Sequence, residues 1–460
     1  MAIKNLYYYL KKHRLLTLAL ISGLLFFTTS LVYVEVGAYP SGDEPHYLVI
    51  SQTLLKYHSL SVMLDYKNGD YRSFYPINLD PHITINVRGQ VMPLHSIGGP
   101  ILWLIPFFLL GRLGAVEFMS LVTVLIVLNI YKFLRSMGIS EGTAFIVSLG
   151  YAVASPLYIY SYRTFIEPIG TLVCIYVLRQ IFKPEISASS LAISSTLLGI
   201  LPWVHSRFII LELPLFLVLL VRIYQKNGLR NLKDYLYFLL PLALLSIALE
   251  VYTYTAWGTL NPAANQINGN SKPFEVSPFS GMLGVFFDQK HGLLLCFPIG
   301  IFGLTGLILS LKKRYLPYNM LMLVLSVPYI IAFTSFRHWG GGWSPPARFV
   351  LVLLPLYSFY IAYALQRLNN LFSRIILIAA LCWGFLFNIL VMLPPHNGFL
   401  QESGPNDIIL PIHVLNFRLT DYLPTVYQPN QTGLFVGWIS LYVAITLLML
   451  YSVHRKTQRK

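Results

Sequence analysis

The sequence predicts an all-α polytopic membrane protein, and three observations carry that reading. Of 460 residues, 56% are hydrophobic and only 11% charged, too little charge to coat several globular domains with a solvated surface. Mean hydropathy is +0.63, which excludes a soluble enzyme and a disordered scaffold alike. The Lys and Arg residues stand at the ends of apolar runs, so the net charge of +15 reads as a topology signal, with no nucleic-acid partner implied. Cys174, Cys296 and Cys382 lie inside apolar stretches and offer no disulfide framework.

The first span, 15–34, is an uncharged run behind Lys4, Lys11, Lys12 and Arg14, long enough to cross a hydrocarbon core of about 30 Å. It is too long for a signal-peptide core and has no small-residue cleavage site, so it is expected to be retained with the N-terminus in the cytoplasm. Further spans are expected at 115–134, 141–160, 164–182, 188–206, 208–224, 235–256, 292–311, 317–335, 347–366, 375–393 and 433–452. That makes twelve, with both termini inside. The apolar stretch 96–111 is broken by Pro100 and Pro106 and reads as a re-entrant or interfacial helix on the outer side. Basic residues such as Arg135, Lys183, Arg222, Lys313 and Arg374 then fall at cytoplasmic turns, while most acids fall outside, as the positive-inside rule requires. The long outer loops are 35–95 and 394–432, with a medium one at 258–291.

Polar chemistry is therefore expected at the outer face. Just past the first span comes Tyr39-Pro-Ser41-Gly-Asp43-Glu44-Pro-His46-Tyr47, with Leu48, Ile50, Leu54 and Leu55 following at helical spacing. Ser41 and Glu44 fit a capping box, and the apolar stripe suggests a helix along the membrane surface. Adjacent acids at a helix start point about 100° apart, so one can face a cavity while the other secures the turn. Asp43, near amide donors and the positive helix end, should stay ionised and accept a proton from a hydroxyl. The plainer reading is a helix cap alone.

A first outer loop opening with Asp43-Glu44-Pro-His-Tyr47 resembles that of the GT-C superfamily of integral-membrane glycosyltransferases, in particular protein O-mannosyltransferases and lipid A aminoarabinose transferases. Three further stretches are similar to the family's. These are Arg88-Gly-Gln90-Val-Met-Pro93-Leu-His95-Ser-Ile-Gly98-Gly99-Pro100 as a polar lead into a juxtamembrane helix, Thr164-Phe-Ile-Glu167-Pro168 as the place of a second acid, and the Gly-rich loop Arg337-His338-Trp339-Gly-Gly-Gly-Trp343-Ser-Pro-Pro-Ala-Arg348. The resemblance implies a GT-C-like catalytic module over 1–366, with its first outer loop at 35–95 and an interfacial helix at 96–112, followed by C-terminal helices over 367–460. It implies Asp43 as catalytic base, Glu44 as the neighbouring acid of the motif and Glu167 as the second acid, although Glu replaces the family's usual Asp there. The donor would be a polyprenyl-phosphate-linked sugar, and the acceptor a lipid, glycan or protein.

The residues argue the chemistry independently. Sugar transfer from a lipid phosphate needs a base for the acceptor hydroxyl and cations for the departing phosphate, which leaves without a strong general acid. Arg163, Arg207, Lys290, Arg337 and Arg348 are the outer cations near span ends, with Arg207 (in Trp203-Val-His205-Ser-Arg207) and Arg348 the preferred phosphate ligands. Each of them could instead snorkel to headgroups or pair with Glu167, Glu212 or Glu250. His46, Tyr47, His95, Trp339 and Trp343 are candidates for sugar or acceptor contact, whereas Trp257 has an interfacial belt as its plainer role. His46, His58, His82 and His95 share the first loop with Asp43, but their spacings match no ligand template, so no cofactor is required and a divalent metal stays an alternative. Asn430-Gln-Thr432 has the form of a glycosylation sequon. The expectation is an inverting glycosyltransferase of a plasma (inner) membrane; a lipid-linked sugar transporter or flippase and a surface-polysaccharide polymerase or ligase are the alternatives.

Overall fold

A computed structural model describes residues 13–228, 231–269, 278–393, 406, 409, 412–414 and 417–458. Lys4, Lys11, Lys12 and residues 394–405, 407–408, 410–411 and 415–416 of the loop expected at 394–432 lie outside the described residues. The chain is a multi-pass membrane protein. Among the described residues, seven helices are long and apolar enough to cross a bilayer: Arg14–Glu35, Arg112–Ser136, Ser206–Lys226, Leu232–Trp257, Lys313–Thr334, Leu371–Met392 and Thr432–Arg455. Each matches an expected span. The other five expected spans are shorter or interrupted helices. At 141–160, Glu141–Val153 is separated from Pro156–Ser161 at Ser155, whose hydroxyl accepts from the N–H of Leu157 while Pro156 starts the next turn. Glu167–Ile181 and Ala188–Val204 occupy 164–182 and 188–206. At 292–311 the helix breaks around Pro298 before Ile301–Leu309, and at 347–366 two 3₁₀ turns precede Ser358–Arg367.

Helix Leu232–Trp257 shows why these sequences suit lipid. Leu232, Leu244, Ile247 and Val251 are all more than half exposed, which water would penalise but a hydrocarbon solvent does not. By contrast Arg112–Ser136 and Glu167–Ile181 are largely buried inside the bundle. Turns with basic ends are tied pairwise: Ser140 N–H donates to Gln366 Oε1 at 3.1 Å, and Arg222 reaches the carbonyl of Pro184 at 3.3 Å.

The segment expected as the first outer loop folds into helices and a hairpin. Helices Glu44–Tyr57 and Met63–Asn68 lead to a hairpin, β1 (Ile83–Ile85) and β2 (Val91–Pro93), antiparallel with Ile83 opposite Pro93. Two short helices, Gly98–Leu102 and Leu104–Leu110, then replace the expected interfacial helix; Ile105, Phe108, Leu109 and Leu110 are at least 60% exposed. Helix Glu44–Tyr57, expected along the membrane surface, has residues 44–51 buried on every side within the protein.

Trp257 departs from the belt role as well. It is 3% exposed beneath Met92 of β2, and the Asn86 side-chain amide donates to Ala256 O at 2.7 Å. That indole anchors the hairpin instead of facing headgroups. The medium outer loop contains the helix Pro278–Phe287, and the turn after it is stitched to the C-terminal loop: Asp288 accepts from the N–H groups of Lys290, His291 and Val426, and the Gln289 amide donates to Leu423 O at 3.0 Å.

Candidate active site

Asp43 and Glu44 take different jobs. Glu44 is 1% exposed; its carboxylate accepts from the N–H groups of Ser41 (3.1 Å) and Thr164 (2.8 Å) and pairs with Arg163 at 3.2 Å. The capping-box contact of Glu44 with Ser41 therefore forms, but the residue at the helix N-cap is Asp43, whose side chain makes no capping bond. Freed from that duty, Asp43 points into the site and is 24% exposed. Burial alone would raise its carboxyl pKa. The Arg348 guanidinium bonded to it, helped by His95, holds it well below the usual carboxylate range instead. It is ionised as expected, yet by a distant arginine and not by the helix end.

Arg348 joins the two acids. Its Nη2 binds Asp43, its Nε lies 3.0 Å from Glu167 Oε1 and its Nη1 donates to Gly341 O at 2.9 Å, while Phe165 packs 4.6 Å from the guanidinium. Every arm of this fork is committed. The Gly-rich loop is shaped for it: Gly341 has φ +95°, and a Cβ there would meet Ser344 Oγ at 2.5 Å or less and Arg348 Cδ at 2.8 Å. Ala347 also adopts a left-handed φ of 62°, and its N–H donates to His291 O at 2.9 Å. The first loop meets this one directly, since a Cβ on Gly42 (φ +55°) would lie 2.5 Å from Trp343 O.

Glu167 is fully buried at the start of its helix, and the same Oε1 accepts from Arg207 Nη2 at 2.5 Å. Arg207 is 17% exposed. Its Nε bonds to none of the described residues, and it stacks on Phe349 at 4.5 Å. His205 shapes this turn by accepting the Arg207 N–H at Nδ1, 3.2 Å away; the residue was quoted in the sequence but not assigned. Two carboxylates and two guanidiniums thus form one chain, Asp43, Arg348, Glu167, Arg207.

The remaining expected residues divide around it. Tyr47 is buried beside His95 with ring centroids 5.0 Å apart, and burial followed by the charge of Asp43 pushes its phenol pKa up. His95 Nε2 lies 3.9 Å from Asp43 Oδ1, and burial lowers that imidazole to about 4, so it is neutral near pH 7. His46 stacks on His82 at 3.6 Å and bonds through Nδ1 to the Tyr66 hydroxyl at 2.7 Å. His82, absent from the expected contact set, bonds through Nδ1 to His95 Nε2 at 3.0 Å. His58 is exposed at the end of its helix, away from this group. Arg337 and Trp343 are exposed on the Gly-rich loop, Trp343 by 52%. Trp339 is instead buried against His291 and Tyr427, and Lys290 is buried in the Asp288 turn. Arg163 is 4% exposed, consumed by Glu44 and by the rings of Tyr33 and Tyr162.

No family model matches the sequence, and no curated protein matches it. Among solved structures the chain is similar to ArnT from Cupriavidus metallidurans bound to undecaprenyl phosphate, with 12% identity, a TM-score of 0.47 and coverage of 96% of this chain and 73% of that one. It is also similar to the Archaeoglobus fulgidus oligosaccharyltransferase in its apo form, with 15% identity, a TM-score of 0.46 and coverage of 83% of this chain and 56% of that one. A further similar structure is the archaeal oligosaccharyltransferase AglB from Archaeoglobus fulgidus in complex with an inhibitory peptide and a dolichol-phosphate, with 14% identity, a TM-score of 0.43 and coverage of 84% of this chain and 56% of that one.

Proposed function

We propose that the protein is a glycosyltransferase that moves a sugar from a polyprenyl-phosphate carrier to an acceptor hydroxyl at the outer face of a plasma (inner) membrane. The observation that carries this reading is the pairing of a partly open, ionised Asp43 with an arginine network in which Arg207 Nε has no hydrogen-bond partner among the described residues. Asp43 takes the acceptor proton as the hydroxyl attacks the anomeric carbon, and direct displacement inverts that centre. The departing phosphate, already ionised, needs cations and no acid. Arg207 supplies them, with exposed Arg337 at the rim.

The other residues then have positioning roles. Arg348, with all arms bonded, aims Asp43, while buried Glu167 sets the spacing of Arg348 and Arg207. Glu44 and Arg163 tie the loop bearing Asp43 to the segment before Glu167. Trp343 offers an open aromatic face for a sugar ring, with Tyr47 and His95 flanking the base. The basic residues at the turns support a topology with both termini in the cytoplasm. The experiment is to reconstitute the purified chain in vesicles with a radiolabelled polyprenyl-phosphate sugar and an envelope extract as acceptor. Free polyprenyl phosphate should accumulate with time; donor that crosses the bilayer chemically unchanged would overturn the reading in favour of a flippase.

A further inference from the structure

We propose that Lys132, Arg179, Lys183 and Arg222 form a headgroup site for an anionic phospholipid, at the end of the bundle away from Asp43. Arg179 lies in the last turn of the 15-residue helix that Glu167 begins, so nearly the whole helix, about 18 Å of rise, separates this group from the candidate active site. The four cations come from three helices and the turn after one of them. Ring contacts fasten two of the helix ends together: Phe133, beside Lys132, and Phe182, beside Lys183, have centroids 6.4 Å apart, and Tyr318 packs on them at 6.0 and 5.5 Å. Arg222 joins from the helix Ile209–Asn227, donating to the carbonyls of Lys183 and of Pro184, the latter at 3.3 Å.

The group lacks a counter-charge. Among the described residues, the charge that acts on Lys132 at short range is that of Arg179, and those that act on Lys183 are Arg179 and Lys132. Each of these contacts is repulsive. Arg179 Nε is also buried with no hydrogen-bond partner among the described residues. Helix C-terminal ends favour nearby cations, which accounts for basic residues at this level but not for three of them sharing one spot. A bound anion accounts for that.

Leu217 and Val221 precede Arg222 on its helix and are 47% and 52% exposed, so apolar surface runs from the level of the cations toward the bilayer core. A phosphodiester carrying acyl chains matches both parts. Its oxygens accept from the ammonium and guanidinium groups, and its chains lie along the exposed side chains. A free phosphate would use the cations alone. This site stands whether or not the sugar-transfer reading does.

The test titrates the full chain, in a neutral detergent, with phosphatidylglycerol and reads retention by native mass spectrometry. One phosphatidylglycerol per chain should stay bound, and the double variant Lys132→Gln/Lys183→Gln should bind it about 10-fold more weakly or worse. Arg367→Gln/Arg374→Gln, at a different basic turn, should bind like the wild type. Neither phosphatidylcholine nor millimolar inorganic phosphate should displace the probe. Melting curves check the fold of the double variant, and Lys132→Gln alone serves if it unfolds. Equal retention of phosphatidylcholine, or an equal loss in the Arg367/Arg374 variant, overturns the proposal. Displacement by inorganic phosphate overturns it too, in favour of a free-anion site.

Discussion

Arg348 lies with its Nε 3.0 Å from the buried carboxylate of Glu167 while its far end holds Asp43, so a single side chain fixes the spacing between the two acids. Glu167 is 0% exposed, and an arginine stripped of such a partner is an uncompensated buried charge. Glu167→Ala should therefore lower stability by about 3–5 kcal/mol. Glu167→Gln, which keeps an acceptor, should retain the fold and lose transfer through a higher KM for the donor as Arg207 drifts. Melting curves and steady-state kinetics on the two variants check this.

Glu44 and Arg163 make the second buried pair, with Tyr33 and Tyr162 against the guanidinium. Removing one partner leaves the other charge buried, whereas removing both leaves neither. Glu44→Gln and Arg163→Met should each cost about 3 kcal/mol or more, and the double variant less than their sum. A double-mutant cycle in thermal stability measures the coupling; additive losses would show that the pair is not energetically joined.

Arg207 is partly exposed, and its Nε has no hydrogen-bond partner among the described residues. Arg207→Lys keeps the charge but loses the planar fork, so the donor should bind about 10-fold more weakly, a difference of roughly 1.4 kcal/mol. Arg337→Ala, at the exposed rim, should cost less than about 1 kcal/mol in donor affinity. Equilibrium binding of a polyprenyl phosphate to each variant separates the two.

Asp65 gives a pH-dependent prediction away from the site. It is fully buried in the short helix Met63–Asn68, neither carboxylate oxygen has a hydrogen-bond partner among the described residues, and burial followed by the charge of Asp70 raises it to about 7. The folded state then binds the proton more tightly than the unfolded chain. Stability from this group is full below the unfolded value near 4 and is lost as pH rises through about 7, by up to about 4 kcal/mol. Asp65→Asn should remove that share of the pH dependence and raise the melting temperature most at pH 8. Melting curves of both proteins from pH 5 to 8 decide it.

Much of the fold is readable from hydropathy because apolar run length is itself the physical requirement for crossing a bilayer. All twelve expected spans coincide with helical segments, and the breaks within them fall near Pro156, Pro298 and Pro355. Arg207 and Arg348 were legible as candidates from charge at span ends, Asp43 from the acid pair at a helix start, and Glu167 from the family resemblance. Their sharing of one network was not, since it depends on how loops distant in sequence meet. The same limit hid the use of Arg163 by Glu44. The hairpin left a signal in the sequence: the β-branched run Ile83-Thr84-Ile85 before Asn86-Val-Arg-Gly89-Gln90, with Gly89 at φ +76°. Pairing those strands sets His82 beside His95. Helix Glu44–Tyr57 carries an amphipathic stripe, and the burial of residues 44–51 on every side depends on packing that the stripe does not show.

The most direct measurement is single-turnover sugar transfer by Asp43→Asn beside the binding of polyprenyl-phosphate donor to the same protein. The amide keeps the size of the side chain but cannot accept a hydroxyl proton as a base. Transfer should fall by about 10²–10⁴-fold while donor binding stays within a few-fold of the wild type. Turnover at the wild-type rate in that variant would contradict the assignment of Asp43 as the base.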